Sequence, residues 1–375
     1  MKTQAAVLFG VGQDWKIVEV DLDQPRDHEV LVRWAAAGLC HTDEHLRTGD
    51  MPARLPMVGG HEGAGVVEKV GPGVSRVKVG DHVVCSFVPA CGSCRFCSTG
   101  RQNLCDLGAH AQDGSLPEGG FRFHLAGEDV GGICVLGTFA ERAVVSEYSC
   151  VPIQSWIPLD VAALVSCGVP TGWGSAVNAA EVEPGDVVVV VGVGGVGVNA
   201  VQGAVHAGAR AVVALDPIEF KRDSALGFGA THTAATAAEA FGLVMEELAP
   251  GVGADKVIVT VGVVDKTVVR QAYDLVRKGG TLVLTGASPF GQDTIQVDGA
   301  TFGLFQKRIQ GTLFGHSNPL RDIHKLFELY GSGQLKLDEL ITRRYRLDQV
   351  NEGYQDLADG VIIRGVVVHE QAAAG

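Results

Sequence analysis

Over residues 1 to about 165, apolar positions come in short runs broken by glycine and proline, such as 29–34 (EVLVRW), 65–70 (GVVEKV) and 81–88 (DHVVCSFV). Runs of this kind place one strand face on a core and the other toward water, so the stretch predicts a β-rich, irregular domain. Residues 107–137, glycine-rich and without sustained periodicity, read as a long loop. From about residue 185 the pattern changes. Residues 186–191 (DVVVVV) are apolar almost without interruption, as expected of a parallel strand covered on both faces, and GVGGVG then opens a helical stretch to about His206. Strand-like runs at 211–215, 256–261 and 281–285 alternate with helical ones at 219–226 and 266–277, which predicts a doubly wound parallel sheet. After about residue 314 come helices near 320–330 and 347–357 and a final strand at 361–368. No internal repeat or low-complexity tract interrupts this order.

The length of 375 residues exceeds what one hydrophobic core usually serves and suits two domains. An apolar fraction of 46%, a charged fraction of 19% and 51 glycines fit a globular α/β chain with many tight turns. The net charge of −13 gives no basis for a nucleic-acid groove, which needs clustered Lys and Arg. No stretch of about 18 uninterrupted apolar residues is present, and MKTQAAVLFG lacks the apolar core and cleavage site of a signal peptide, so a soluble cytoplasmic protein without a membrane partner is expected. Four of the nine cysteines fall between 91 and 105, a density that favours metal over disulfides in a chain of this kind.

Three constellations carry candidate chemistry. In the first, Gly192, Gly194, Gly195, Val196 and Gly197 lie between a strand and a helix, where glycines allow a tight turn and close approach to a pyrophosphate at the helix N-terminus. Asp216 ends the next strand, 19 residues past Gly197, where a carboxylate would bond the adenosine ribose hydroxyls and repel a 2′-phosphate, favouring NAD. In the second, Cys91, Cys94, Cys97 and Cys105 can close a tetrahedral shell around a structural zinc. An iron–sulfur cluster would need the last cysteine sooner and followed by proline. The third is dispersed: Cys40, His61 and Cys167 each have an ordinary structural reading when taken singly, and spacing alone does not join them.

Taken in order, GLCHTDEH, GGHEGAGVVEKVG, CGSCRFCSTGRQNLC, SCGVPTGWGSA and VGVGGVG resemble the zinc-containing medium-chain alcohol dehydrogenases, close to the class III and formaldehyde dehydrogenase branch. Within it the chain is most similar to the actinobacterial nitrosodimethylaniline-dependent enzymes, which hold their nicotinamide tightly. The resemblance spans essentially the whole chain. It implies an α/β architecture with a GroES-like β-rich catalytic domain at 1–168 and 314–375 and a Rossmann domain at 169–313, with catalysis in the cleft between them. It makes Cys40, His61 and Cys167 the ligands of a catalytic zinc with one open position, so that the subunit holds two zinc ions. Glu62 becomes the glutamate behind that metal and Asp43 the carboxylate that fixes the histidine ring. Thr42 and His45, with a cofactor ribose hydroxyl between them, match a proton relay to solvent. Lys221 and Arg364 match contacts to the adenosine ribose and the pyrophosphate, Thr171 lies where the nicotinamide packs, and Phe87 stands at the substrate pocket. His41 falls where the family often has arginine against the pyrophosphate.

The implied activity is hydride transfer between NAD and a small primary alcohol or aldehyde by a homodimer or homotetramer, associated through an edge strand near 308–314. One rival is a formaldehyde dehydrogenase requiring mycothiol or glutathione, with substrate-recognising charges sought in 44–54 or around Arg122. A rival of another class, a dinucleotide-binding or zinc-stabilised protein without catalysis, is opposed by Cys40, Thr42, His61 and Cys167 standing together in one chain. Cys85, Cys134 and Cys150 read as buried small side chains.

Overall fold

The computed structural model describes residues 1–369. It divides into two compact units: Met1–Cys167 with Asn318–Gly333 and the chain from Leu337 onward, and Gly168–Ser317 with Gln334–Lys336.

In the first unit, five strands close a small barrel in the order Lys2–Leu8, Lys16–Leu22, Phe123–Leu125, Glu128–Gly132 and Met57–Val58. A seven-stranded sheet lies beside it. Its main path runs Cys150–Ile153, His82–Cys85, Gly63–Val70, Glu29–Gly38, Arg364–Val368 and Ile341–Tyr345, with Arg142–Ser146 also pairing Glu29–Gly38. Glu29–Gly38 has nine of its ten residues buried, which explains why its sequence is apolar beyond the alternating part.

The expected loop at 107–137 is only partly a loop. Phe123–Leu125 and Glu128–Gly132 form an antiparallel hairpin, and Ala126 and Gly127 between them both adopt positive φ, as a two-residue hairpin turn requires. Strands of three and five residues are too short to display a period, so the sequence alone does not reveal them.

The second unit is built on a six-stranded parallel sheet in the order His232–Ala234, Ala211–Leu215, Val187–Val191, Ala254–Val259, Val276–Leu284 and Arg308–Gly311. In chain order this is 3-2-1-4-5-6, the doubly wound arrangement whose ligand crevice lies at the carboxyl ends of the strands where the order reverses. Val187 to Val190 are fully buried. Each such side chain contributes about 1.5–3 kcal/mol by leaving water, so this strand anchors the glycine turn that follows it. The edge strand expected at 308–314 is Arg308–Gly311, which among the described residues pairs on one side only, with Val276–Leu284.

Candidate metal and cofactor sites

Cys40 follows the strand Glu29–Gly38 and sits in extended conformation immediately ahead of the helix His41–Thr48. His61 and Glu62 occupy the turn before Gly63–Val70, where Gly60 has φ +82° and a Cβ would collide with Thr138 and Phe139. Cys167 lies just before the helix Gly168–Gly174. One ligand atom from each of Cys40, His61, Glu62 and Cys167 falls within 4.8 Å of all the others, and the four side chains are buried. The fold therefore joins the residues that spacing left apart.

Asp43, buried on the first turn of its helix, places Oδ2 3.0 Å from Nδ1 of His61, and its Oδ1 accepts the N–H of Gly60 at 2.8 Å. That contact occupies the Nδ1 side of the ring and leaves Nε2 for a metal. Glu62 forms a buried ion pair with Nη2 of Arg364, in space that exists because residue 38 is glycine: a Cβ there would lie 2.0 Å from Glu62 Oε2. Burial pushes the Glu62 carboxyl up, and the adjacent Arg364 charge pulls it back down. A hydrogen bond between the two thiols holds Cys40 well below the ordinary thiol range and raises Cys167. Two thiol sulfurs and an imidazole nitrogen, with a carboxylate already paired behind them, suit a three-ligand zinc with an open fourth position.

The second cluster lies in a loop containing the one-turn helices Cys97–Thr99 and Gln102–Leu104. The sulfurs of Cys91, Cys94, Cys97 and Cys105 all lie within 4.8 Å of one another, and the pairs Cys91–Cys97 and Cys94–Cys105 are 3.9 Å apart. A tetrahedron with Zn–S bonds of about 2.3 Å has edges of about 3.8 Å. The backbone N–H groups of Cys94 and Cys97 donate to the sulfurs of Cys91 and Cys94 at 3.3 and 3.4 Å. Burial raises the Cys91 thiol, but N–H donors led by that of Cys94 outweigh it and bring it down to about 6. Among the described residues the apolar cluster of this lobe has three buried members, Val88, Cys97 and Cys105, a core too thin to hold the loop without a cross-link.

The oxygen Oγ1 of Thr42 lies 3.7 Å from the sulfur of Cys40. His45, expected at the solvent end of a relay, is buried instead, with Nδ1 3.2 Å from Oδ2 of the more exposed Asp50. Phe87 meets the His61 ring edge-on, with centroids 5.9 Å apart. His41 is exposed on the helix that carries Thr42. Arg122 is not available as a substrate-recognising charge: it is buried, and its Nε donates to Oε2 of buried Glu29 at 2.8 Å. Cys85 and Cys150 are buried partners across neighbouring strands with sulfurs 3.9 Å apart, and Cys134 is also buried.

In the second unit, Gly192 has φ +85° and is pressed against Val261, while a Cβ on Gly197 would lie 2.0 Å from the Gly192 carbonyl oxygen. A Cβ on Gly194 would meet nothing within 4 Å, so this part of the turn, continued by Gly195 and Val196 into the helix Gly197–His206, is open to a ligand. Asp216 accepts the N–H groups of Val193 and Ile218, each at 3.0 Å, one on each carboxylate oxygen, and both oxygens retain capacity for ribose hydroxyls. Arg222, not singled out from the sequence, donates to the Asp216 carbonyl at 2.8 Å from the same helix as Lys221. The Thr171 hydroxyl is buried without a hydrogen-bond partner. These features fit a dinucleotide.

Residues 26–155 match the alcohol dehydrogenase GroES-like domain and residues 195–329 the zinc-binding dehydrogenase family. An NDMA-dependent alcohol dehydrogenase of Amycolatopsis methanolica is 56% identical over 98% of this chain and 99% of its own length. The chain belongs to the zinc-dependent medium-chain alcohol dehydrogenase family. Alcohol dehydrogenase B of Mycobacterium tuberculosis is 47% identical, with 98% of each chain covered. The crystal structure of an alcohol dehydrogenase zinc-binding domain protein from Burkholderia ambifaria superposes with a TM-score of 0.91 at 32% identity, over 98% of this chain and 99% of that one. This zinc-dependent alcohol dehydrogenase acts on alcohols and aldehydes, and NAD is the usual cofactor of its family.

Proposed function

We propose that this dehydrogenase interconverts a small primary alcohol and its aldehyde, with Cys40, His61 and Cys167 holding the catalytic zinc and Cys91, Cys94, Cys97 and Cys105 a structural one. The observation that carries the reading is the buried convergence of Cys40, His61 and Cys167, with Glu62 neutralised by Arg364 behind them. Zinc supplies Lewis acidity that lowers the pKa of the alcohol, and NAD supplies the hydride acceptor. Asp43 fixes the tautomer and orientation of His61. The Thr42 hydroxyl takes the alcohol proton and passes it toward His45, whose Nδ1 contact hands it on to Asp50. Phe87 walls the substrate side of His61 and helps to exclude water. The glycine turn from Gly192 to Gly197 holds the pyrophosphate, Asp216 and Lys221 the adenosine ribose, and Thr171 the nicotinamide. Arg364 retains an unpartnered Nε donor and, with His41, serves the pyrophosphate.

The 56% relative, by its name NDMA-dependent, supports a cycle in which NAD stays bound and is reoxidised in place by an electron acceptor. The exposed edge Arg308–Gly311, with Leu304 and Leu313 exposed beside it, supports a homodimer or homotetramer. Among the described residues no helix is long and apolar enough to cross a membrane, and a cytoplasmic site of action accords with free thiols at both clusters. The test is a panel of alcohols and aldehydes assayed with NAD, with and without nitrosodimethylaniline and with and without a low-molecular-weight thiol. Turnover that requires the artificial acceptor and ignores the thiol supports the reading; formaldehyde turnover that requires the thiol overturns it.

A further inference from the structure

Helix Val350–Ala358 is tied to the start of the chain by Asn351, which accepts the N–H of Trp15 at 3.0 Å and donates to its carbonyl at 2.9 Å. Three residues on, the buried ring of Tyr354 stacks on Trp15 at 6.3 Å and meets Phe139 at 6.2 Å. Phe139 and Thr138 in turn donate their N–H groups to the carbonyls of Gly59 and Gly60, each at 2.8 Å, directly before His61. The aromatic cluster is thus built against the turn that carries a metal ligand.

The Tyr354 hydroxyl is buried without a hydrogen-bond partner, and its pKa is raised first by that burial and next by the charge of the Asp43 carboxylate beside it. On that carboxylate, Oδ1 is occupied by Gly60, whereas Oδ2 and Nδ1 of His61 are close but poorly aligned. A buried phenol and a buried carboxylate oxygen each cost about 1–3 kcal/mol when left unmatched. Tyrosine donates and carboxylate only accepts, so one O–H···O bond satisfies both.

We propose that Tyr354 is a positioning residue for the catalytic metal, its hydroxyl orienting Asp43 and Asp43 orienting His61. This rests on Cys40, His61 and Cys167 being the ligands of that metal. With the phenol on one side and Gly60 on the other, the carboxylate keeps Oδ2 turned to the N–H at Nδ1, and the lone pair at Nε2 is held toward the two thiols. Phenylalanine fills the same space and stacks on the same rings, so only the orienting bond is at stake.

The test takes the zinc-loaded full-length enzyme and follows zinc release against a graded chelator, with Cys94→Ser identifying the transition of the four-cysteine cluster. Tyr354→Phe should bind catalytic-site zinc on the order of tenfold more weakly, leave the four-cysteine zinc unchanged, and recover turnover when zinc is added. In an Asp43→Asn background, Tyr354→Phe should weaken binding no further. Wild-type zinc affinity in Tyr354→Phe, equal weakening at both clusters, or a full additional effect on top of Asp43→Asn would each overturn the proposal. A wild-type enzyme that binds zinc only at the four-cysteine cluster would instead overturn the ligand assignment, and the role of Tyr354 with it.

Discussion

Glu62 and Arg364, 302 residues apart in the chain, meet as an ion pair with both side chains buried. Removing one member leaves the other buried without its partner, which typically costs about 3–5 kcal/mol. Arg364→Ala should therefore lower stability to denaturant by roughly that amount, whereas Glu62→Gln, which keeps shape and an acceptor, should lose less. Urea unfolding of the two variants and the double mutant decides this; additive effects would show that the pair is not energetically coupled.

The two metal clusters should respond differently to loss of one sulfur. Cys94→Ser should remove one of about two zinc ions per chain and lower the melting temperature, because the lobe has little apolar core of its own. Cys167→Ala should abolish turnover and largely spare the fold. Metal analysis beside a thermal melt reads both, and finding a single zinc in the wild type would contradict the assignment.

Asp216 uses both carboxylate oxygens to order the turn, so Asp216→Ala should loosen the turn as well as relieve repulsion of a 2′-phosphate. Binding of NAD should weaken and the preference over NADP shrink markedly. An unchanged ratio of kcat/KM for the two cofactors would remove Asp216 from the ribose site.

For the proton path, Thr42→Ala should slow single-turnover hydride transfer by a large factor while Thr42→Ser retains much of it. Because His45 is buried against Asp50, His45→Gln should be rescued poorly by bulky buffer bases and better by small ones. Zinc content should be unchanged in all three variants, and full single-turnover activity in Thr42→Ala would eliminate this path.

His369 is buried, its Nε2 lies 3.1 Å from the Thr138 carbonyl, and burial lowers its pKa from 6.5 to about 4. A histidine held neutral in the fold binds its proton in the unfolded chain first, so its contribution is full above pH 6.5 and is lost as pH falls toward 4. The loss is on the order of 3 kcal/mol. His369→Gln should flatten the acid limb of a stability–pH profile between pH 7.5 and 4.5, and an unaltered slope would show that another group governs it.

Much of this molecule is legible in its sequence because the relevant patterns are local. The uninterrupted valines of 187–191, the glycine turn and the terminal aspartate Asp216 lie on consecutive elements, and four cysteines within fifteen positions need only one loop to meet. Cys40, His61 and Cys167 are different: they converge only through sheet pairing and a helix entry, and family resemblance rather than spacing brought them together. Tyr354 left no local signal, since an aromatic residue on an amphipathic helix has the same pattern whether its hydroxyl is used or not. The burial of His45 was likewise hidden, because its neighbours His41, Glu44 and Arg47 give the helix a polar sequence.

The strand Arg364–Val368 lies between Glu29–Gly38 and Ile341–Tyr345, and it is the last of the described strands to emerge during translation. The parallel sheet, whose strands run from Val187 to Gly311, can be complete while that strand is still being made. Until it arrives, Glu62 has no buried cation and the sheet carrying Cys40 ends at an open edge. Vectorial synthesis thus separates the two units in time: the parallel sheet can form first, and the buried Glu62–Arg364 pair forms only when the final strand inserts.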